Sequence, residues 1–120
     1  MKVAVSARGG SLQSEVDPRF GRARYFVIVD TETGEFTAVD NEQNLNAAQG
    51  AGIQAAQHVA AQGVQAVLTG HCGPKAFRTL SAGGIAVFTG VEGTVADALE
   101  RYKAGELSTA EDADVHGHWG

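Results

Sequence analysis

Apolar and polar residues alternate along this chain with two different periods. Residues 2–7 (KVAVSA) and 25–30 (YFVIVD) are rich in β-branched and aromatic residues and read as strands. Residues 35–40 (EFTAVD) alternate polar with apolar, as a half-exposed strand does. Between the last two lies TETG, with Gly34 available for a positive φ, so the second and third strands are expected to form an antiparallel hairpin. The period then lengthens. GIQAAQHVAAQG (52–63) places Ile53, Ala56, Val59 and Ala60 on one helical face and stops at Gly63. VQAVLTG (64–70) reads as a buried strand. GPKAFRTLSAGG (73–84) has Pro74 where a first helical turn tolerates it, Phe77 and Leu80 for packing, and Gly83 as a stop. IAVFTG (85–90) is the fifth strand. The last helix opens on Thr94-x-x-Asp97, a capping box, and aligns Val95, Ala98, Leu99 and Tyr102 before Gly105.

The order β-β-β-α-β-α-β-α predicts an α/β domain: a meander followed by two α/β units, giving a mixed five-stranded sheet covered by helices. One domain is expected over residues 1–105. Residues 106–120 (ELSTAEDADVHGHWG) lack apolar periodicity and read as an acidic, histidine-containing mobile tail. If the hairpin lies on one side of the first strand and the fourth strand lies parallel on the other, the chain leaves the sheet in opposite directions between them. Ligands favour such a switch point. Arg8, Gly9 and Gly10 after the first strand, Arg19 to Arg24 before the second, Asn41 and Asn44 after the third, and Gly70 to Pro74 after the fourth are all expected at that end.

Composition narrows the function. At 120 residues and 43% apolar, the chain can build a core without disulfide or metal staples. Cys72 is the single cysteine, and MKVAVSA runs into a strand without a signal peptide or membrane span, which predicts a soluble cytoplasmic protein. A net charge of −5 argues against general nucleic-acid binding. The charge is uneven, however. Arg8, Arg19, Arg22 and Arg24 lie in the first thirty residues, and a basic site on an acidic molecule suits a small anion.

The loop TGHCGPKAF (69–77) precedes a helix whose first N–H groups lack intrahelical partners and attract anions, while its glycines admit a ligand to the backbone. Cys72 there is a candidate soft thiolate donor and His71 a neighbouring imidazole donor. The rival reading is a tight strand-to-helix turn holding a small, half-buried cysteine. In DPRFGRARYF, Arg19, Arg22 and Arg24 offer forked donors for a tetrahedral or sulfide-rich anion, with ordinary pairing to Asp17 as the rival. Lys75 adds a charge. His58 reads as solvated, and His116 and His118 in HGHWG form a weak metal-binding pair.

Enzyme readings are thinner. A meander-first α/β sheet resembles the ribonuclease H fold, but metal-dependent nucleases of that kind need clustered carboxylates, and KVAVSA has none beside Asp40 and Glu42. Magnesium- or manganese-dependent hydrolysis and a ligand-free adaptor remain the alternatives. One thiol cannot hold an iron–sulfur cluster by ligation, so any cluster must be held by charge, hydrogen bonds and shape.

DPRFGRARYFVIVD, the stretch NLNAAQGAGIQAAQHVAAQGVQAVLTGHCGPKAFRTLSAGGIAVFTG and the ending GTVADALERYKAGEL together resemble the dinitrogenase iron–molybdenum cofactor biosynthesis family over residues 1 to about 107. The resemblance implies a ribonuclease H-like α/β domain and a non-catalytic carrier of an anionic metal–sulfide cluster. That cluster would be iron–molybdenum cofactor-like or a molybdenum–copper sulfide, with room for a protein acceptor or partner complex. It also implies a site at Arg19, Phe20, Gly21 and Arg22 together with His71, Cys72, Gly73 and Pro74. The tail bearing His116 and His118 lies beyond it.

Overall fold

The computed structural model describes residues 1–42 and 51–109. Within these, the elements run β1 (Lys2–Ala7), β2 (Tyr25–Asp30), β3 (Phe36–Asp40), α1 (Ala51–Ala60), β4 (Ala66–Leu68), α2 (Pro74–Ala82), β5 (Ala86–Phe88) and α3 (Val95–Lys103). The strands form one mixed sheet in the order β3-β2-β1-β4-β5. β1 pairs antiparallel with β2, Val3 opposite Val29 and Val5 opposite Val27, and parallel with β4, Val3 opposite Ala66. The topological switch point between β1 and β4, with the hairpin on one side of β1 and the parallel β4 on the other, is therefore present as expected.

The alternation of side chains across the pleat assigns each residue to one of two cores. On one face Ala4, Phe26, Ile28, Val67 and Val87 pack under α1 and α2, which contribute Ala55, Ala56, Val59, Ala76 and Leu80. On the other, Val3, Val5, Val27, Val29 and Leu68 pack under Val95, Ala98 and Leu99 of α3. Covered on both faces, β1 and β4 carry nearly unbroken apolar runs. β3 is an edge strand, and Phe36 on it is 43% exposed.

Local signals act as anticipated in most places. Gly34 in the hairpin turn has φ +81°, and Gly63 and Gly105 end α1 and α3 at φ +76° and +73°. Thr94 and Asp97 form the reciprocal capping box, each side chain accepting the other's backbone N–H at 3.1 Å. The bond from the Thr94 N–H, with help from the Thr94 side chain, holds the Asp97 carboxyl below the usual aspartate value. At the end of α2 the left-handed residue is Gly84, at φ +75°, while Gly83 is the C-cap at φ −86°. β4 and β5 are shorter than their apolar runs, pairing from Ala66 opposite Ala86 to Leu68 opposite Phe88, with the Thr69 N–H bonding Phe88 O at 3.0 Å.

The chain stays against the domain past Gly105. Leu107 packs on the core beneath α3, and Thr109 bridges Phe88 antiparallel. The remainder of the expected tail, with His116 and His118, lies outside the described residues.

Candidate functional site

Three segments converge where β1 and β4 end. Ala7 closes β1 opposite Tyr25, which opens β2, so residue 8 and the 17–24 segment leave the sheet together. The loop after β4 is pressed against that segment. His71 N–H donates to Pro18 O at 2.8 Å, and Phe20 N–H donates to His71 O at 3.3 Å, making Arg19 and His71 a parallel bridge. The approach is so close that a Cβ on Gly70 would lie 2.5 Å from Pro18 Cα, which explains glycine at that position. Asn41, buried after β3, braces the same turn by donating its side-chain N–H to Ala23 O at 2.7 Å.

This junction carries two adjacent grooves. Arg8, Asp17, Arg19, Arg22 and Arg24 line one of about 440 Å³. Gly21, Gly52, Ile53, Gly73, Pro74, Lys75 and Ala76 line the other, of about 360 Å³. The 19–22 turn is the wall between them, with its arginines on one side and Gly21 on the other. The second groove faces the start of α2, where Gly73 occupies the N-cap and no side chain caps the first turn.

Electrostatics in the first groove are only partly neutralised. Arg24 pairs with Asp40 at 2.7 Å and with Glu42 at 3.8 Å, and lies over the Tyr25 ring at 4.7 Å from its centroid. The backbone N–H of Glu42, followed by the Arg24 side chain, pulls the Asp40 carboxyl below its ordinary value. Arg19 meets Asp17 through Nε at 3.5 Å yet stays 61% exposed. Arg19 and Arg24 thus show ordinary pairing with neighbouring carboxylates, and with Arg8 and Arg22 they line one groove. Arg8, among the described residues, forms no ion pair with any carboxylate.

The expected site residues separate into three groups. Arg8, Arg19 and Arg22 line the arginine groove, and Gly21, Gly73, Pro74 and Lys75 the glycine groove. Cys72, Phe20, Gly9 and Gly10 line neither. Cys72 is 1% exposed and belongs to the core cluster that also holds Phe20. The turn into α2 directs this short side chain inward, deeper than the half-buried cysteine of the rival reading. Phe20 anchors the turn from below, its ring 5.1 Å from that of Phe26. Gly9 and Gly10 serve packing, where Cβ atoms would meet Ser14 Oγ at 2.5 Å and Ala38 Cβ at 3.1 Å. His71 contributes backbone bonds to the junction, and its Nδ1 is buried. Asn44 lies outside the described residues.

Sequence reasoning passed over three contributors: Asp17 as a lining residue, Asn41 as a brace and Gly70 as the point of closest approach. The Asp-Pro dipeptide was the available signal for the first, while nothing local to Gly70 announces that Pro18 sits on it. Among the described residues no three His, Cys, Asp or Glu side chains gather to hold a metal ion. No described helix is long and apolar enough to cross a membrane.

Residues 1–105 match the family model described as dinitrogenase iron-molybdenum cofactor. The chain belongs to this family. In keeping with that membership in the dinitrogenase iron-molybdenum cofactor family, it is similar to the orange protein from Desulfovibrio gigas, solved in its apo form. Identity there is 44%, with 94% of this chain and 95% of that one covered and a TM-score of 0.92. A NifB-like protein from Thermotoga is 36% identical over 90% of this chain and 91% of that one, with a TM-score of 0.79. An uncharacterized protein from Methanocaldococcus jannaschii is 29% identical, with 92% of each chain covered. The family and the likeness to the orange protein support a cofactor-binding or carrier role.

Proposed function

We propose that this protein is a non-catalytic carrier of an anionic metal–sulfide cluster, held by charge, hydrogen bonds and shape, and that the cluster is a molybdenum–copper sulfide. The observation that carries the reading is the gathering of Arg8, Arg19, Arg22 and Arg24 around one open groove of an acidic protein, beside the uncapped start of α2. Forked guanidinium donors match the spread negative charge of thiomolybdate sulfurs, and the free amides of a helix start add directed donors. Copper(I) prefers sulfur, so a copper bridging two thiomolybdate units takes its ligands from the cargo itself. The buried Cys72 need not supply one. Lys75 and Gly73 extend the contact surface into the second groove.

The test is reconstitution. Apo-protein mixed with tetrathiomolybdate and copper(I), then separated from free metal by gel filtration, is expected to carry a visible chromophore in fixed stoichiometry. Arg19→Ala combined with Arg22→Ala is expected to lose most of it, and added salt to weaken retention. No protein-bound colour in the wild type, or full retention in the double variant, removes the proposal.

A further inference from the structure

A carboxylate sits at the base of the arginine groove. Asp17 lines it with the four arginines but is only 4% exposed. Its position is fixed by buried bonds. The Asp17 N–H donates to Ser6 O at 2.9 Å, and Asp17 O accepts the Ser6 hydroxyl at 2.7 Å. Ser6 Oγ in turn lies 2.7 Å from Thr69 Oγ1 in a second hydrogen bond, and both side chains are fully buried. From this base the Asp17 carboxylate accepts the Arg19 backbone N–H at 3.0 Å and pairs with Arg19 Nε. Those buried bonds hold the Asp17 backbone in place, and its carboxylate cannot swing out without giving up the Arg19 N–H and Nε.

We propose that Asp17 determines which anions the groove accepts: a fixed negative floor that rejects compact oxyanions such as phosphate and molybdate and leaves the arginine rim to larger polyanions. The inference rests on reading the groove as an anion site. Four arginines without Asp17 would take any small oxyanion, because guanidinium forks bind phosphate as readily as sulfide-rich anions. A compact anion that enters far enough to reach several arginines also comes close to the carboxylate. At about 4 Å, each unit charge is then disfavoured roughly fivefold even at the dielectric of water, and more in the partly dry groove. A larger body stays at the outer ends of the arginine side chains, where solvent screens the floor.

Equilibrium dialysis of the full chain against phosphate, molybdate and preformed copper-bridged thiomolybdate tests this, with Asp17→Asn and Asp17→Glu in parallel. Asparagine keeps an oxygen to accept the Arg19 N–H and removes the charge; glutamate keeps the charge. In Asp17→Asn, phosphate and molybdate are expected to bind about tenfold more tightly and the thiomolybdate species less than about threefold more tightly. Asp17→Glu is expected to go on rejecting phosphate and molybdate. Equal gains for all three anions, or equal losses, overturn the filter. So does a wild type that holds phosphate as tightly as the thiomolybdate species. A wild type that binds none of them, with phosphate binding appearing in Asp17→Asn, upholds the filter and removes the cluster reading instead. Should Asp17→Asn lose its cooperative thermal transition, Asp17→Ser carries the same comparison.

Discussion

Gly70→Ala places a methyl group against backbone rather than against a side chain that can move. The added carbon would lie 2.5 Å from Pro18 Cα, 2.7 Å from Pro18 O and 2.8 Å from Pro18 Cβ. Ordinary carbon contacts sit near 3.5–4.0 Å, so the two loops must part by about 1 Å. That displacement is enough to break the 2.8 Å bond from His71 N–H to Pro18 O and the 3.3 Å bond from Phe20 N–H to His71 O. Overpacking of this kind costs about 1–3 kcal/mol. For a domain of this size that corresponds to a melting temperature lower by about 4–12 °C. Gly73→Ala is the internal control, because its Cβ meets no heavy atom within 4 Å and its φ of −68° suits alanine. Thermal unfolding followed by circular dichroism compares the two. Gly70→Ala is also expected to lose anion retention, since Arg19 and the α2 start are positioned by the same bonds. A Gly70→Ala protein that melts with the wild type, or a Gly73→Ala protein that falls as far, refutes the assignment of this junction as the element that holds the site together.

Burial of Cys72 predicts that a thiol reagent modifies it slowly in the native state and rapidly in urea, with the native rate unchanged by bound thiomolybdate; protection by the cluster would restore the thiolate-ligand reading. Phe20→Ala empties a core position beneath the arginine turn and is expected to cost about 3–5 kcal/mol in urea unfolding. Asp30, Asp40 and Asp97 are all held below the ordinary aspartate value of 3.8, chiefly by backbone N–H bonds, so each favours the folded state above that value. The stabilisation they provide is lost as the pH falls through their depressed folded values. The urea midpoint is therefore expected to be insensitive to these groups from pH 7 to 5 and to drop progressively below about pH 4.

Much of the architecture was legible because its causes are local. Glycines at 34, 63 and 105 mark left-handed turns, Thr94 and Asp97 cap a helix within one turn of chain, and the periods of YFVIVD and GIQAAQHV state which faces must be covered. The order of these elements was then enough to place the switch between β1 and β4, and with it the end of the sheet where the arginines gather. The direction in which each side chain points at that end was not legible. Cys72 sits between two glycines and a histidine, a setting that looks chemical when read along the chain, yet the turn into α2 sends it into the core beside Phe20.

The sequence by itself therefore determined the elements, their pairing and the concentration of positive charge in one part of an acidic chain, since periodicity, turn residues and charge are properties of neighbouring positions. Tertiary structure alone decided that the anticipated site is two grooves divided by the 19–22 turn, that Gly70 bears on Pro18, and that Asp17 lies beneath the arginines. The reason is physical. Ser6, Asp17 and Thr69 are far apart along the chain, and only the packing of β1 against the loops after it and after β4 brings their polar groups within bonding distance of one another.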